Sequence, residues 1–259
     1  MDDELLHEVA DGIGWVTFNR PDSRNSLTFA MYEGLAEICE QAEPGGPVRV
    51  IVLRGAGGRA FAAGTDMSQF RGFQTSEDAW GYELKMERVF ERIERCKVPT
   101  IAAITGACTG GGAAIAACCD LRISDRRLRY GFPIARTLGN CLSVASLSRL
   151  VAILGDARVR EILVPARLIE AEEAKAVGLV SEVVEDAGAV MDRAQELARL
   201  LATHAPLTLR ATKEALRRLR AEGEEAEDRD LIELTYMSED FREGMEAFLA
   251  KRTPRWKGR

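Results

Sequence analysis

Residues 106–120 read GACTGGGAAIAACCD and set three consecutive glycines, Gly110, Gly111 and Gly112, between two apolar stretches. The run before them, 100–104 behind Pro99, has β character, and the residues after them are small and helix-tolerant. A strand that feeds a glycine turn and then a helix leaves bare backbone N–H groups at the positive end of that helix. With no side chain in the way, a ligand oxygen can come close to them. Taken alone the stretch reads equally as a tight turn ahead of a buried helix, so its meaning depends on the rest of the chain.

Upstream, 4–10 and Trp15 to Asn19 read as strands joined across Asp11-Gly12, and 20–25 reads as a loop. Thr28 is placed to cap a helix with Met31, Leu35, Ile38 and Cys39 on one face, and Pro44-Gly45-Gly46-Pro47 ends it. The nearly continuous apolar run 48–53 suits a strand buried on both faces, as in a parallel sheet flanked by helices. A glycine turn at 55–58 leads into 60–67, AFAAGTDM, a short strand that runs into Gly64 and polar residues, a second place for exposed backbone donors. The 76–95 segment reads as a helix with an imperfect stripe of Trp80, Leu84, Val89, Phe90 and Ile93.

Downstream, 121–123 and 128–130 read as strands, 132–143 as a loop, and 144–154, 156–163, 170–177 and 189–203 as helices, with a strand at 179–184. From Pro206 the chain reads as helical to its end, with a solvated charged run at 217–230. Strand–helix alternation followed by helices alone predicts an α/β core, 1–200, and a helical C-terminal region, 201–259.

A net charge of −6 argues against broad nucleic-acid binding, and no apolar run approaches the roughly 20 residues of a membrane span. Two histidines exclude a mechanism built on several of them, and six cysteines without metal-ligand spacing read as reduced, mostly buried thiols with no metal site. The acidic N-terminus lacks a secretory pattern, so a cytoplasmic protein is expected.

In order along the chain, AFAAGTD at 60–66 and GACTGGGAAIAACCDLRIS at 106–124 resemble the enoyl-CoA hydratase/isomerase, or crotonase, family. Arg20-Pro21 with Asn25-Ser26-Leu27, the segment 169–180, and SEDFREGMEAFLAKRTPRWKGR at 238–259 extend that resemblance over essentially the whole chain. It implies a repeated ββα spiral core and an acyl-CoA thioester held with its carbonyl oxygen on two backbone N–H groups, those of Thr65 and Gly111. It further implies CoA contacts at Arg24, Ser26, Leu27, Ala63, Asp66 and Met67, with no cofactor beyond the CoA moiety. Lys251, Arg252 and Lys257 would be placed to reach a neighbouring subunit's ligand, the C-terminal region would make oligomer contacts, and the assembly would be a homotrimer or a dimer of trimers.

The resemblance also marks a departure. The two positions at which the family's hydratases carry glutamates correspond here to Ala114 and to Ile134 after Pro133, neither of which transfers a proton. General acid–base groups contribute about 10²–10⁴ each, so ordinary hydration is not expected. Another crotonase-type reaction, a hydratase with relocated acid–base groups, and a non-catalytic acyl-CoA-binding or assembly protein remain as readings. Tyr130, Arg136, Asn140, Cys141 and Ser143 fall where the family varies its catalytic residues, with Arg136 a possible clamp for a substrate carboxylate or a partner for a structural one. Cys141 reads better as a buried inert thiol than as a nucleophile, and Glu83 and Glu87, one helical turn apart, as surface residues that could supply a carboxylate from the opposite wall.

Overall fold

The computed structural model describes residues 4–259. β1 (Leu5–Ala10) and β2 (Ile13–Phe18) pair antiparallel across Asp11 and Gly12, both at positive φ (53° and 77°), as a tight hairpin requires. Thr28 then caps α1 (Phe29–Gln41) by accepting from the Met31 N–H. From there the chain winds in repeated units of two strands and a helix. β3 (Val50–Gly55), β4 (Ala60–Ala63) and α2 (Ser76–Glu94) form one; β5 (Thr100–Ile104), β6 (Ala107–Thr109) and α3 (Gly111–Cys118) form the next. β7 (Leu121–Asp125), β8 (Arg129–Gly131) and α4 (Ile134–Thr137) form a third.

The first strand of each unit joins a six-stranded sheet of order β1-β2-β3-β5-β7-β10, and the second joins a four-stranded sheet of order β4-β6-β8-β9. The chain reaches β9 (Ile169–Glu170) through α5 (Val144–Leu154) and α6 (Asp156–Leu163), and β10 (Glu182–Val184) through α7 (Ala171–Ala176). β2, β3, β5, β7 and β10 run parallel, the arrangement expected of strands linked by helical crossovers. This is the ββα spiral that the resemblance implied.

The large sheet is buried on both faces, which is why β3 reads as a continuous apolar run. Ile51 and Leu53 face the main core with α1, α2 and α3, while Val50 and Val52 face Val190, Ala194 and Ala198 of α8 (Ala187–Ala202). α9 (Pro206–Glu222), α10 (Arg229–Tyr236) and α11 (Glu239–Leu249) follow. No helix among the described residues is long and apolar enough to cross a membrane.

Several local expectations change. β6 and β9 are strands too short to carry a sequence period. The predicted loop 132–143 contains the helical turn α4, and the predicted strand 179–184 is reduced to its last three residues. The chain is not helical to its end: 223–228 and 250–259 are irregular, and the tail is held by Asp240, which accepts from the N–H groups of Lys257 and Gly258. On α2 the buried residues are Met86, Val89, Phe90 and Ile93, whereas Trp80 and Leu84 are exposed. Five cysteines are buried as expected, but Cys141 is exposed.

Candidate active site

The two glycine segments meet because the four-stranded sheet pairs β4 with β6, in register from Ala62 and Cys108 to Ala63 and Thr109. The chain leaves these adjacent strands at the same end, one through Gly64 (φ 101°) and the other through Gly110 (φ 53°). Each glycine of the triplet has its own close neighbour. A Cβ on Gly110 would lie 3.3 Å from the Gly64 Cα, one on Gly111 would lie 1.7 Å from the Tyr32 Oη, and one on Gly112 would lie 2.3 Å from the Ala62 carbonyl oxygen. The absence of side chains is therefore what brings α3's N-terminus against the 63–65 loop.

Thr65 and Gly111 line one cavity of about 310 Å³. Gly111 is the first residue of α3, so its N–H has no partner within the helix. Among the described residues no acceptor takes the N–H of either Thr65 or Gly111. The Tyr32 hydroxyl fixes the Thr65 side chain by a 2.9 Å hydrogen bond, and burial raises the Tyr32 pKa so that the phenol stays protonated. Burial likewise raises that of Tyr82, which lines the same cavity.

The candidate CoA-contact residues lie together beside these amides. The Leu27 N–H donates to the Gly64 carbonyl at 2.8 Å, the Asp66 N–H to the Leu27 carbonyl at 2.8 Å, and the Ala63 N–H to the Arg24 carbonyl at 3.0 Å. Arg20 binds Ser26 and Asp66, whose carboxyl is lowered to about 2 by the Ser68 hydroxyl and amide and then by Arg20. Arg24 and Met67 are exposed beside the loop. Arg24 and Asn25 both adopt positive φ, and the buried Asn25 amide stabilises that turn by donating to the carbonyls of Ala56 and Ala60.

The variable-loop candidates divide. Asn140, Cys141 and Ser143 line the cavity. Ser143 is also the N-cap of α5 and donates to Glu87 at 3.2 Å. Arg136 is exposed and outside the cavity lining, so it is not placed as a carboxylate clamp. The Tyr130 hydroxyl is buried on the Ala113 carbonyl at 3.0 Å, away from the cavity. Ala114 and Ile134 both line it.

Glu83 and Glu87 are both partly buried rather than exposed. Glu87 is engaged by Arg149, 2.5 Å away, and Arg149 in turn pairs with Glu94 at 2.8 Å. Glu83 is half-buried in the cavity wall, and its pKa is raised, first by burial and then by the charge of Glu87. Sequence reasoning passed over Tyr32, and it named Glu83 only alongside Glu87, as surface residues that could supply a carboxylate from the opposite wall. Tyr32, Leu35, Ala36 and Cys39 follow helical spacing, and Glu83, Met86, Phe90 and Ile93 do so on α2. A wider, more open depression of about 860 Å³ lies between α11 and the C-terminal tail. There Arg252 pairs with Glu243 and Lys257 with Glu239, so two of the three basic tail candidates are engaged within the chain.

Comparison with known proteins bears on this geometry. Residues 8–259 match the family described as Enoyl-CoA hydratase/isomerase. The chain is 33% identical to the 2,3-dehydroadipyl-CoA hydratase of Escherichia coli, over 99% of both chains. It is 31% identical to the 1,2-epoxyphenylacetyl-CoA isomerase of the same organism, over 98% of both. Among solved structures, an enoyl-CoA hydratase/carnithine racemase from Magnetospirillum magneticum superposes with a TM-score of 0.90 at 34% identity, covering 100% of this chain and 97% of that one.

Proposed function

We propose that this chain, which belongs to the enoyl-CoA hydratase/isomerase family, acts by stabilising the enolate of an acyl-CoA thioester between the N–H groups of Thr65 and Gly111. The observation that carries the reading is the pair of unpartnered amides lining one cavity, with one of them at a helix N-terminus. Negative charge that develops on a thioester oxygen there meets two fixed donors and the positive end of α3, and one such donor is typically worth about 10²–10³ in rate. The CoA moiety lies along Arg24, Ser26 and Leu27 and past Ala63, Asp66 and Met67, and the reaction uses no further cofactor.

Ordinary hydration is not the reaction. Ala114 and Ile134 stand at the two positions that match the family's hydratase glutamates, so a water in this cavity lacks both organisers. The functional assembly is a homotrimer or a dimer of trimers, a reading that the exposed Ile232, Tyr236, Phe241, Met245 and Phe248 of α10 and α11 support. The test sets purified protein beside a hydratase that has both glutamates. Crotonyl-CoA hydration is expected to be at least ~10²-fold slower, while an acyl-CoA panel in deuterium oxide shows enzyme-dependent exchange next to the thioester. Crotonyl-CoA hydration at the control's rate would refute the reading; binding of CoA esters with neither exchange nor consumption would leave a non-catalytic binder.

A further inference from the structure

With both hydratase carboxylates absent, a reaction through an enolate still requires a group to carry the proton. We propose that Glu83 is that group, the acid–base residue acting on the acyl chain from the wall formed by α2. The assignment rests on the acyl-CoA reading above and names the residue that reading leaves open.

Three observations carry it. Among the described residues that line the cavity, Glu83 alone bears a formal charge. Among the described residues its carboxylate has no hydrogen bond or ion pair, whereas that of Glu87 one turn on is engaged by Arg149 and Ser143. The contrast matters because a carboxylate held by a guanidinium is a poor base, while a free one in a partly dry wall is a competent one. Finally, Glu83 occupies the inward stripe of α2 together with Met86, Phe90 and Ile93, a position where burial ordinarily selects an apolar side chain.

The surroundings agree. Tyr32 and Tyr82 face the cavity as protonated phenols, and Cys141 and Asn140 face it from the loop before α5. Arg149 of α5 is occupied by Glu87 and Glu94, so among the described residues no cation pairs with Glu83. Burial and the nearby Glu87 charge both move its proton affinity toward neutral pH.

One carboxylate suffices for a 1,3-proton shift. The Glu83 carboxylate removes a proton from the α-carbon of a β,γ-unsaturated thioester. The C–H electron pair becomes part of a dienolate whose charge rests on the thioester oxygen between the Thr65 and Gly111 amides. Protonated Glu83 then returns the proton to the γ-carbon; in the reverse direction it takes a γ-proton from the α,β-unsaturated isomer and returns it to the α-carbon. The double bond moves by one position, and no water or redox partner is consumed. Met86, Phe90, Phe132 and Leu142 add apolar surface to the lining, and no charge other than Glu83 faces the acyl chain among the described lining residues, which suits an uncharged hydrocarbon acyl group.

The experiment compares wild type, Glu83→Gln and Glu83→Asp with β,γ-hexenoyl-CoA in deuterium oxide, following the double bond by absorbance and deuterium uptake by mass spectrometry, with calorimetric affinity for hexanoyl-CoA alongside. The expected result is hexanoyl-CoA affinity within about threefold of wild type for E83Q, shift and exchange lowered by about 10²–10⁴, and partial activity in E83D. The wild-type rate rises with pH along a limb that E83Q lacks. Shift and exchange in E83Q within threefold of wild type would overturn the assignment. So would a wild type that binds hexanoyl-CoA but exchanges nothing, which leaves the acyl-CoA site standing; a wild type that binds no CoA ester removes both.

Discussion

Replacing Gly111 by alanine tests the geometry of the amide pair most directly. The backbone there has ordinary helical φ, so alanine is not excluded by conformation; the obstacle is contact alone. The added Cβ would fall 1.7 Å from the Tyr32 Oη, 3.0 Å from its Cζ and 3.1 Å from the Thr65 Oγ1. Ordinary contact begins at 3.4 Å, so the hydroxyl and Cβ must separate by 1.7 Å (3.4 − 1.7). Tyr32 is fully buried and cannot swing away cheaply. Relief therefore comes from shifting α3's first turn or from breaking the 2.9 Å Tyr32–Thr65 hydrogen bond. Overpacking costs about 1–3 kcal/mol and the lost hydrogen bond about 0.5–1.5 kcal/mol, which gives a loss of roughly 2–4 kcal/mol. Displacing one donor lowers turnover by a further factor of about 10²–10³. The assay is urea unfolding together with turnover and acyl-CoA affinity. Adding Tyr32→Phe removes the offending oxygen and leaves a 3.0 Å approach that a few tenths of an ångström relieve, so the double variant should recover much of the stability. Gly111→Ala within about 0.5 kcal/mol of wild type and fully active would refute the reasoning, as would a double variant no more stable than the single one.

Two further expectations concern charge. Asp120 accepts from the Thr100 N–H and hydroxyl and pairs with the largely buried Lys213. Burial presses Lys213 toward neutrality, but Asp120 outweighs it and the ammonium titrates above its ordinary range. Asp120→Asn should therefore cost about 3 kcal/mol or more in urea unfolding by leaving that charge uncompensated. Asp66, lowered to about 2 from 3.8, stabilises the fold above about pH 4, and that contribution disappears as pH falls through about 2. Asp66→Asn should flatten the dependence of the unfolding midpoint on pH across that window; an unchanged slope would show that the Ser68 and Arg20 hydrogen bonds to Asp66 are not maintained in solution.

Much of the fold was legible because it is periodic. The both-faces-apolar pattern of β3, the Thr28 cap, the Asp11-Gly12 hairpin and the glycine triplet each follow from local chemistry. The strands that escaped, β6 and β9, are two or three residues long and exist only because neighbours in the small sheet accept them. The same distinction holds at the site. Thr65, Gly111, Ala114 and Ile134 were named from order along the chain, and all four line the cavity. Arg136 and Tyr130 were named by the same means and lie outside it, since proximity in a loop does not fix where a side chain ends.

The amino-acid sequence by itself determined the two glycine segments, the family they resemble and the alanine and isoleucine that the resemblance sets at the hydratase-glutamate positions, because each of these is a matter of residue identity in order. Which carboxylate faces the cavity was decided by tertiary structure alone. Glu83 and Glu87 lie four residues apart on one helix, and both fall at helical spacing from Phe90, so the pattern alone does not say which one is left free. Arg149, arriving from α5, takes Glu87 and leaves the Glu83 carboxylate in the wall without a partner among the described residues.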